Sequence, residues 1–130
     1  MAVTHSTTAR DAATNAVTAL IGTSGYLVFR ITGSTVASPS AAAATLSLSA
    51  TAFGASSSGM ATANPITSDT NATGNASPVA FATLQTSGNT VVIQCAVAAT
   101  GSDINMTGGL TVASGDTVSC SLLTYTALSA

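Results

Sequence analysis

The chain has 130 residues and a formal net charge of -2, which comes from two arginines and four aspartates with no lysine or glutamate. That length suits one domain, and two arginines are too few for the basic patch that nucleic acid binding needs. No apolar run approaches the roughly 20 residues of a membrane span. Neither nucleic acid nor a membrane is therefore an expected partner.

The first residues, "MAVTHSTTARDAATNAV", have neither the basic start nor the apolar stretch of a signal peptide. Export directed by a signal peptide is therefore not expected. So few charges protect a surface poorly against association. Much of the surface is expected to be covered by copies of the same chain or by another protein.

Residues 6–21, "STTARDAATNAVTALI", are predicted to form a helix. Ser6 or Thr7 can cap its start, and Gly22 and Gly25 end it. Its apolar side chains recur at helical spacing and form one shallow stripe: Ala9, Ala13, Ala16, Val17, Leu20 and Ile21. We expect this stripe to lie against a sheet or against a neighbouring subunit.

From residue 26 onward apolar residues alternate with a period of two, which is typical of strands. In the first strand, 26–31, one face carries Tyr26, Val28 and Arg30. The opposite face carries Leu27, Phe29 and Ile31. In the second strand, 45–50, Leu46 and Leu48 are expected to point inward. Further strands are expected at 60–67, 77–85 and 90–98 and within 102–127.

Seven or eight short strands with turns between them indicate an antiparallel β-sandwich or barrel, jelly-roll-like in outline. The sequence "TSGN" between 77–85 and 90–98 marks a hairpin. The predicted fold is mainly β with one N-terminal α-helix. It forms a single compact domain, with an arm and helix at 1–25 and the β-sandwich domain at 26–130.

The segment "SDTNATGNAS" (68–77) begins like a calcium loop. Four residues match the first, third, fifth and sixth positions of an EF-hand: Asp69, Asn71, Thr73 and Gly74. The twelfth position, where an EF-hand places a bidentate glutamate, is Ala80, and strands are predicted on both sides. Bonds from Asp69 to its own backbone and an unusual dihedral at Gly74 explain the composition as a turn. A calcium site completed by another loop or subunit is the alternative.

Two cysteines fall on predicted strands. Cys95 shares a face with Val91, Ile93 and Val97, and Cys120 shares one with Val118 and Leu122. Both are expected to point into the core as free thiols that behave as small hydrophobes. The alternative is a disulfide formed after release into an oxidising medium. Two cysteines and one histidine do not match a zinc-ligand spacing, so no metal or cofactor site is predicted.

The sequence lacks a constellation for catalysis, so the chain is not expected to be an enzyme. His5 is the single histidine and lies near the terminus, no G-x-S-x-G motif occurs, and each aspartate adjoins a turn or cap signal. Arg10 and Asp11 are expected to form a solvated or interfacial pair. Arg30, inside an apolar strand, is expected to fork onto an aspartate or backbone carbonyls at a subunit contact.

Four stretches in order carry a resemblance: "HSTTARDAATNAVTALIGTSGYLVF", "TANPITSDTNATGNASPVAFATLQTSGNTVV", "GSDINM" and "SGDTVSCSLLTYT". Together they resemble a group of small β-rich proteins encoded among the virion structural genes of tailed bacteriophages. The similarity spans nearly the whole chain. It implies a virion component, and the role we expect is that of a capsid decoration (cement) protein on the outside of the head. No functional residues of the group carry over to this chain.

The resemblance also implies partners and a location. The major capsid protein would be the partner, the capsid surface the location and the cytoplasm of a bacterial host the place of synthesis. Self-association is expected, with a trimer as the guess because local threefold axes are common cement sites. The segment before Ser6 is a candidate arm that orders on the shell.

Two other functions remain open at this stage. A neck, collar, tail or fibre component of the virion would differ from a decoration protein in its copy number per particle. A carbohydrate-binding β-sandwich would belong to another class and would need aromatic platforms. Tyr26 and Tyr125 are the only tyrosines and tryptophan is absent, so this alternative has little to build on.

Overall fold

The computed structural model describes residues 3–129. This part of the chain contains one helix and seven strands: α1 (Thr7–Ala19), β1 (Tyr26–Ile31), β2 (Ala42–Ser47), β3 (Met60–Thr62), β4 (Val79–Gln85), β5 (Val91–Ala98), β6 (Ile104–Asn105) and β7 (Thr124–Thr126). The protein is mainly β with one N-terminal helix, as the sequence predicts. The first two residues of the expected N-terminal arm lie outside the described residues.

Five strands form one sheet in the order β2-β1-β4-β5-β6, and β3 pairs with β7 in a separate two-stranded sheet. The pairs β1–β2, β1–β4, β4–β5 and β3–β7 are antiparallel, but β5 and β6 run parallel. The expectation of purely antiparallel strands is therefore wrong at β6. The larger sheet is mixed and curls into half a barrel.

Strand register explains where the core lies. Leu27 on β1 stands between Leu46 on β2 and Leu84 on β4, and Leu84 in turn pairs with Ile93 on β5. This row of large aliphatic side chains crosses four strands on one face of the sheet. Leu27, Leu46 and Leu84 are buried, and Ile93 packs against the same cluster. The predicted inward direction of Leu46 is thus confirmed, and Leu48 is also in the core.

The predicted hairpin is confirmed. Strands β4 and β5 pair antiparallel, and the Thr86 N–H donates to the Thr90 carbonyl at 2.9 Å across the turn. Asn89 adopts a φ of 67°. Asparagine is one of the few residues other than glycine that tolerates this left-handed conformation.

Predicted strand boundaries fail mainly in the second half of the chain. The expected strand at 60–67 ends at Thr62, three residues before Pro65, which has no N–H for a strand ladder. Only β6 and β7 form within 102–127. Val118 pairs with Asp69 through an isolated bridge, but Leu122 is 72% exposed, so the predicted face shared with Cys120 does not form.

Helix α1 begins as predicted, because the Ser6 hydroxyl accepts a hydrogen bond from the Ala9 N–H at 3.1 Å. Its docking differs from the prediction. The buried helix residue is Thr14, whose hydroxyl donates to the Gly59 carbonyl at 2.6 Å and accepts from the Ala127 N–H at 3.1 Å. A polar contact therefore holds the helix to the residues before β3 and after β7.

Helix α1 lies against β3 and β7 of the two-stranded sheet, but only part of its alanine-rich stripe is covered. Ala9 and Ala16 are exposed, and Leu20 exposes 65% of its surface. Of the stripe only Ile21, just beyond the helix, is fully buried. The predicted contact with a sheet is present at β3 and β7, but the buried residue of the helix is Thr14, which the predicted stripe does not include. The alternative, a contact with a neighbouring subunit, stays a prediction.

Candidate functional site

The segment around Asp69 forms a turn that also covers the outer edge of β2. One carboxylate oxygen, Oδ1, accepts from the Asn71 N–H at 3.0 Å, which closes an Asx turn. The other, Oδ2, accepts from the Thr45 N–H on β2 at 2.9 Å. Gly74 has the predicted unusual dihedral, with a φ of +73°. The predicted turn is confirmed, and both oxygens of Asp69 are engaged by backbone donors.

The other aspartates follow the same pattern. Asp103 Oδ2 accepts from the Ala96 N–H at 3.0 Å, and Asp116 Oδ2 accepts from the Ala113 N–H at 2.9 Å. Asp11 Oδ1 accepts from the Ser56 hydroxyl and the Gly59 N–H, each at 2.7 Å. The hydrogen bond from Ser56, followed by the one from Gly59, lowers the pKa of Asp11. Each aspartate therefore stabilises a turn, a strand edge or the helix contact.

Within residues 3–129, no three His, Cys, Asp or Glu side chains lie close enough to hold a metal ion together. His5 lies in the exposed segment before α1. Tyr26 and Tyr125 are both half-buried, but they lie far apart in the topology. Tyr26 begins β1 in the large sheet, whereas Tyr125 is in β7 and packs against the core.

Arg30 is the centre of a polar network on the sheet face opposite the main core. Its Nε donates to Thr83 Oγ1 at 3.0 Å, its Nη2 to Gln85 Oε1 at 2.8 Å and its Nη1 to the Ser40 carbonyl at 2.7 Å. Thr83 and Gln85 are buried, at 0% and 2% exposure. All three acceptors are neutral, so burial without a counter-charge lowers the pKa of the Arg30 guanidinium.

The network extends along the sheet in two directions. Gln85 Nε2 donates to Asn89 Oδ1 at 3.0 Å in the β4–β5 turn. Towards β5, Gln94 Nε2 donates to the carbonyl of Ser34 at 3.1 Å, and the Ser34 hydroxyl accepts from the Ser40 N–H. The loop 32–40 is thereby fastened over the sheet. Gln94 Oε1 is buried and has no hydrogen-bond partner among residues 3–129.

Sequence reasoning singled out Arg30 but missed most of its partners. The predicted fork onto a carbonyl is present, but inside the chain, at Ser40 rather than across a subunit contact. The sequence does contain a signal that Thr83 and Gln85 have a polar partner, because both are polar residues two apart on one face of an apolar strand. Only the register of β1 on β4, which pairs Tyr26 with Gln85, places them beside Arg30.

We expect Arg30→Met to reduce the free energy of unfolding by about 2 kcal/mol, since buried acceptors on Thr83 and Gln85 would lose their donor. Arg30→Lys should recover only part of this loss, because one ammonium cannot reproduce a planar fork. Urea denaturation of the purified chain measures both values.

The matched control is Arg10→Met. Arg10 Nε is buried and has no hydrogen-bond partner in the described part of the chain, so removing this donor is expected to be neutral or slightly stabilising. Equal losses for Arg10→Met and Arg30→Met would contradict the structural role of the Arg30 network.

Both cysteines are free thiols and half-buried. Cys95 on β5 and Cys120 both pack against the core cluster, as predicted. Burial, reinforced by the nearby charge of Asp103, raises the pKa of Cys95 to about 11. Burial also raises the pKa of Cys120, while its hydrogen bond to the Leu122 carbonyl acts in the opposite direction.

The raised pKa predicts slow alkylation of Cys95. At about pH 8 its thiolate fraction should be lower than that of an unperturbed thiol by about two orders of magnitude. Timed iodoacetamide labelling with peptide mass spectrometry measures the rate for each cysteine. The same chain in denaturant is the control, and Asp103→Asn should speed the reaction at Cys95. Labelling of the folded chain at the denatured rate would contradict the burial of this thiol.

The surface has few groups that hydrate strongly. At least one oxygen of every aspartate accepts a backbone N–H, and Arg30 is bound to three neutral acceptors inside the chain. Five large apolar side chains are nevertheless 47–72% exposed: Val3, Leu20, Val36, Met60 and Leu122. The exposed surface is therefore formed mainly by small neutral residues with apolar side chains among them.

Comparisons with models of known protein families, with curated proteins and with solved structures find no match to this chain. Within the part of the chain that the structure describes, no helix is long and apolar enough to cross a membrane.

Proposed function

We propose that the chain is a structural protein of a tailed-bacteriophage virion, a decoration (cement) protein that binds the outside of the head and stabilises the shell. The observation that carries the proposal is that the protein has few charged side chains and that most of them are hydrogen-bonded within the fold. The chain has six charged side chains among 130 residues, and the four aspartates and Arg30 are engaged in bonds within the fold. A surface with so little free charge favours association.

The exposed face of α1 supports the same proposal. Ala9, Ala16 and Leu20 leave an apolar strip of short side chains on the side of the helix away from the fold. Short side chains permit close approach of a flat partner surface. The partner we propose is the major capsid protein, with further contacts between copies of this chain in a homo-oligomer, a trimer by our hypothesis.

We also propose that the larger sheet becomes part of a closed sandwich or barrel when the protein is assembled in the virion. Within the chain the larger sheet curls only halfway round and ends at β6. Contacts with a neighbouring molecule would complete the closure, since edge strands pair readily with other chains.

The proposed stabilisation of the shell follows from mass action. A protein that binds only the assembled shell lowers the free energy of that state and therefore raises the temperature at which the shell opens. No catalytic step is involved. The property that matters is a rigid domain with a surface that fits the junctions between shell subunits.

The test uses phage particles that lack the protein. Their heads are expected to assemble but to release DNA at a lower temperature than complete particles, as measured by the fluorescence of a DNA-binding dye during heating. Adding the purified chain back should restore the higher temperature. Identical release temperatures with and without the protein would contradict the proposal. Neither the neck or tail alternative nor carbohydrate binding is favoured by a specific contact in the structure.

A further inference from the structure

The C-terminal part of the chain contains an open cleft of about 540 Å³. It is lined by residues 103–109, which include β6, and by residues 116–124, which lead into β7. Its volume lies within the range of roughly 300–1,000 Å³ that is typical of ligand sites. The Arg30 network and the docked side of α1 contribute no residues to it.

Unpaired backbone borders this cleft at two places. Strand β6 is the last strand of the large sheet, and its one strand neighbour, β5, contributes no residue to the lining. Residues 119–122 make no backbone-to-backbone hydrogen bond with any part of residues 3–129. Their neighbours do, since Val118 pairs with Asp69 and the Leu123 carbonyl accepts from the Ala63 N–H at 2.8 Å. The Leu122 carbonyl accepts from the Cys120 thiol, whereas the other N–H and C=O groups of residues 119–122 have no hydrogen-bond partner among residues 3–129. Free N–H and C=O groups of this kind are templates for an added strand.

The side chains that line the cleft indicate which side chains an added strand would need. Met106, Val118 and Leu123 supply apolar lining, and Leu122 is 72% exposed beside them. Asp103 and Asp116 also line the cleft. Each uses Oδ2 for a backbone N–H and keeps Oδ1 without a hydrogen-bond partner among residues 3–129.

The charges of the cleft select the partner. No arginine lines it, and the chain contains no lysine. Arg30 is held in its network, and Arg10 lies within helix α1. A second copy of this chain therefore has no free lysine or arginine on an extended segment that could add to the cleft as a strand. A complementary strand must come from a different protein.

We propose that this cleft binds an extended segment of a different protein by β-strand addition, with a lysine or arginine of that segment facing Asp103 and Asp116. Backbone hydrogen bonds to residues 119–122 and to β6 would supply affinity, and apolar side chains at alternate positions would enter the lining. This inference goes beyond the proposed function because it names the structural element of the partner. Its test uses the isolated chain, so its answer does not depend on binding to phage heads.

The probe is a library of short random peptides selected on the complete purified chain. Selected peptides are expected to alternate apolar residues with lysine or arginine. Hydrogen exchange of the chain with a selected peptide should slow at residues 119–122 and at β6. Methylation of alternate backbone nitrogens of the peptide should abolish binding, because strand addition requires those N–H donors.

The variant D103N/D116N provides the sharper test. Asparagine keeps the oxygen that accepts from Ala96 or Ala113, so the turns should survive while both charges are lost. Binding of the selected peptides should weaken about tenfold, as two partly exposed ion pairs would predict. Asp11→Asn removes one charge outside the cleft and should leave binding unchanged.

Three results would overturn the inference. One is the failure to select any peptide on the folded chain. Another is binding that does not depend on the cleft, seen either as affinity that D103N/D116N leaves unchanged or as exchange protection outside the cleft. The third is protection of residues 119–122 that grows with the concentration of the chain alone, which would make a second copy the occupant.

Discussion

Gly74→Ala is expected to lower the free energy of unfolding by about 3 kcal/mol, a large share of the roughly 5–15 kcal/mol of a typical domain. Gly74 has a φ of +73°, where an L-residue is strained. A Cβ at this position would also lie 2.4 Å from the Ser114 nitrogen and 2.5 Å from the Ala113 carbonyl carbon. These are backbone atoms, so the clash is relieved only by moving one segment away from the other.

Gly101→Ala is the matched control for this prediction. Gly101 has nearly the same φ, +71°, but nothing lies within 4 Å of the position of its Cβ. Its replacement should cost only the dihedral strain of about 1–2 kcal/mol. Urea denaturation of both variants separates strain from clash. Equal losses would mean that the Gly74 turn does not pack against residues 112–114 as described.

Thr14→Val is expected to destabilise the chain by about 3 kcal/mol, although valine has nearly the same shape as threonine. The Thr14 hydroxyl bonds both the Gly59 carbonyl and the Ala127 N–H, and Thr14 is fully buried. Valine would leave both backbone groups without this partner. The loss should appear in urea denaturation and as faster hydrogen exchange in α1, because Thr14 is the buried residue of the helix.

The control is Thr8→Val on the exposed side of the same helix. It makes the same chemical change at similar helix propensity, so its effect should stay within about 0.5 kcal/mol. If both variants lose the same stability, the cost arises from valine in a helix. In that case the polar docking of α1 through Thr14 would be wrong.

Local patterns predicted the elements well where neighbouring residues alone decide them. Ser6 at the start of α1, the alternation in β1 and the turn residues between β4 and β5 are local signals, and each is found in the structure. The Asx turn at Asp69 belongs to the same class, because the Asn71 N–H that it binds is only two residues away.

Contacts between distant residues were harder to predict. The carbonyl at Gly59 and the N–H at Ala127 that fix Thr14 lie 45 and 113 residues away along the chain. Helical spacing of alanines therefore did not identify Thr14 as the buried residue of α1. Alanine adds little on burial, so two hydrogen bonds in a buried site outweigh an alanine stripe.

The Arg30 network and the cleft illustrate the same limit. An arginine in an apolar strand signals a specific environment, but its acceptors at Thr83 and Gln85 depend on strand register. Residues 119–122 read as a strand because of their alternation. They make no backbone-to-backbone hydrogen bond among residues 3–129, although residues 63–69 are bonded to the chain on either side of them, at Leu123 and Val118, and sequence periodicity does not reveal such a gap in pairing.

The central claim, a decoration protein on the phage head, is tested most directly by copy number. Purified particles would be analysed by quantitative mass spectrometry of this chain against the major capsid protein. The proposal predicts one copy per shell subunit or a simple fraction of that number. A count of only a few copies per particle would place the protein at the neck or tail, and its absence from particles would contradict a virion role altogether.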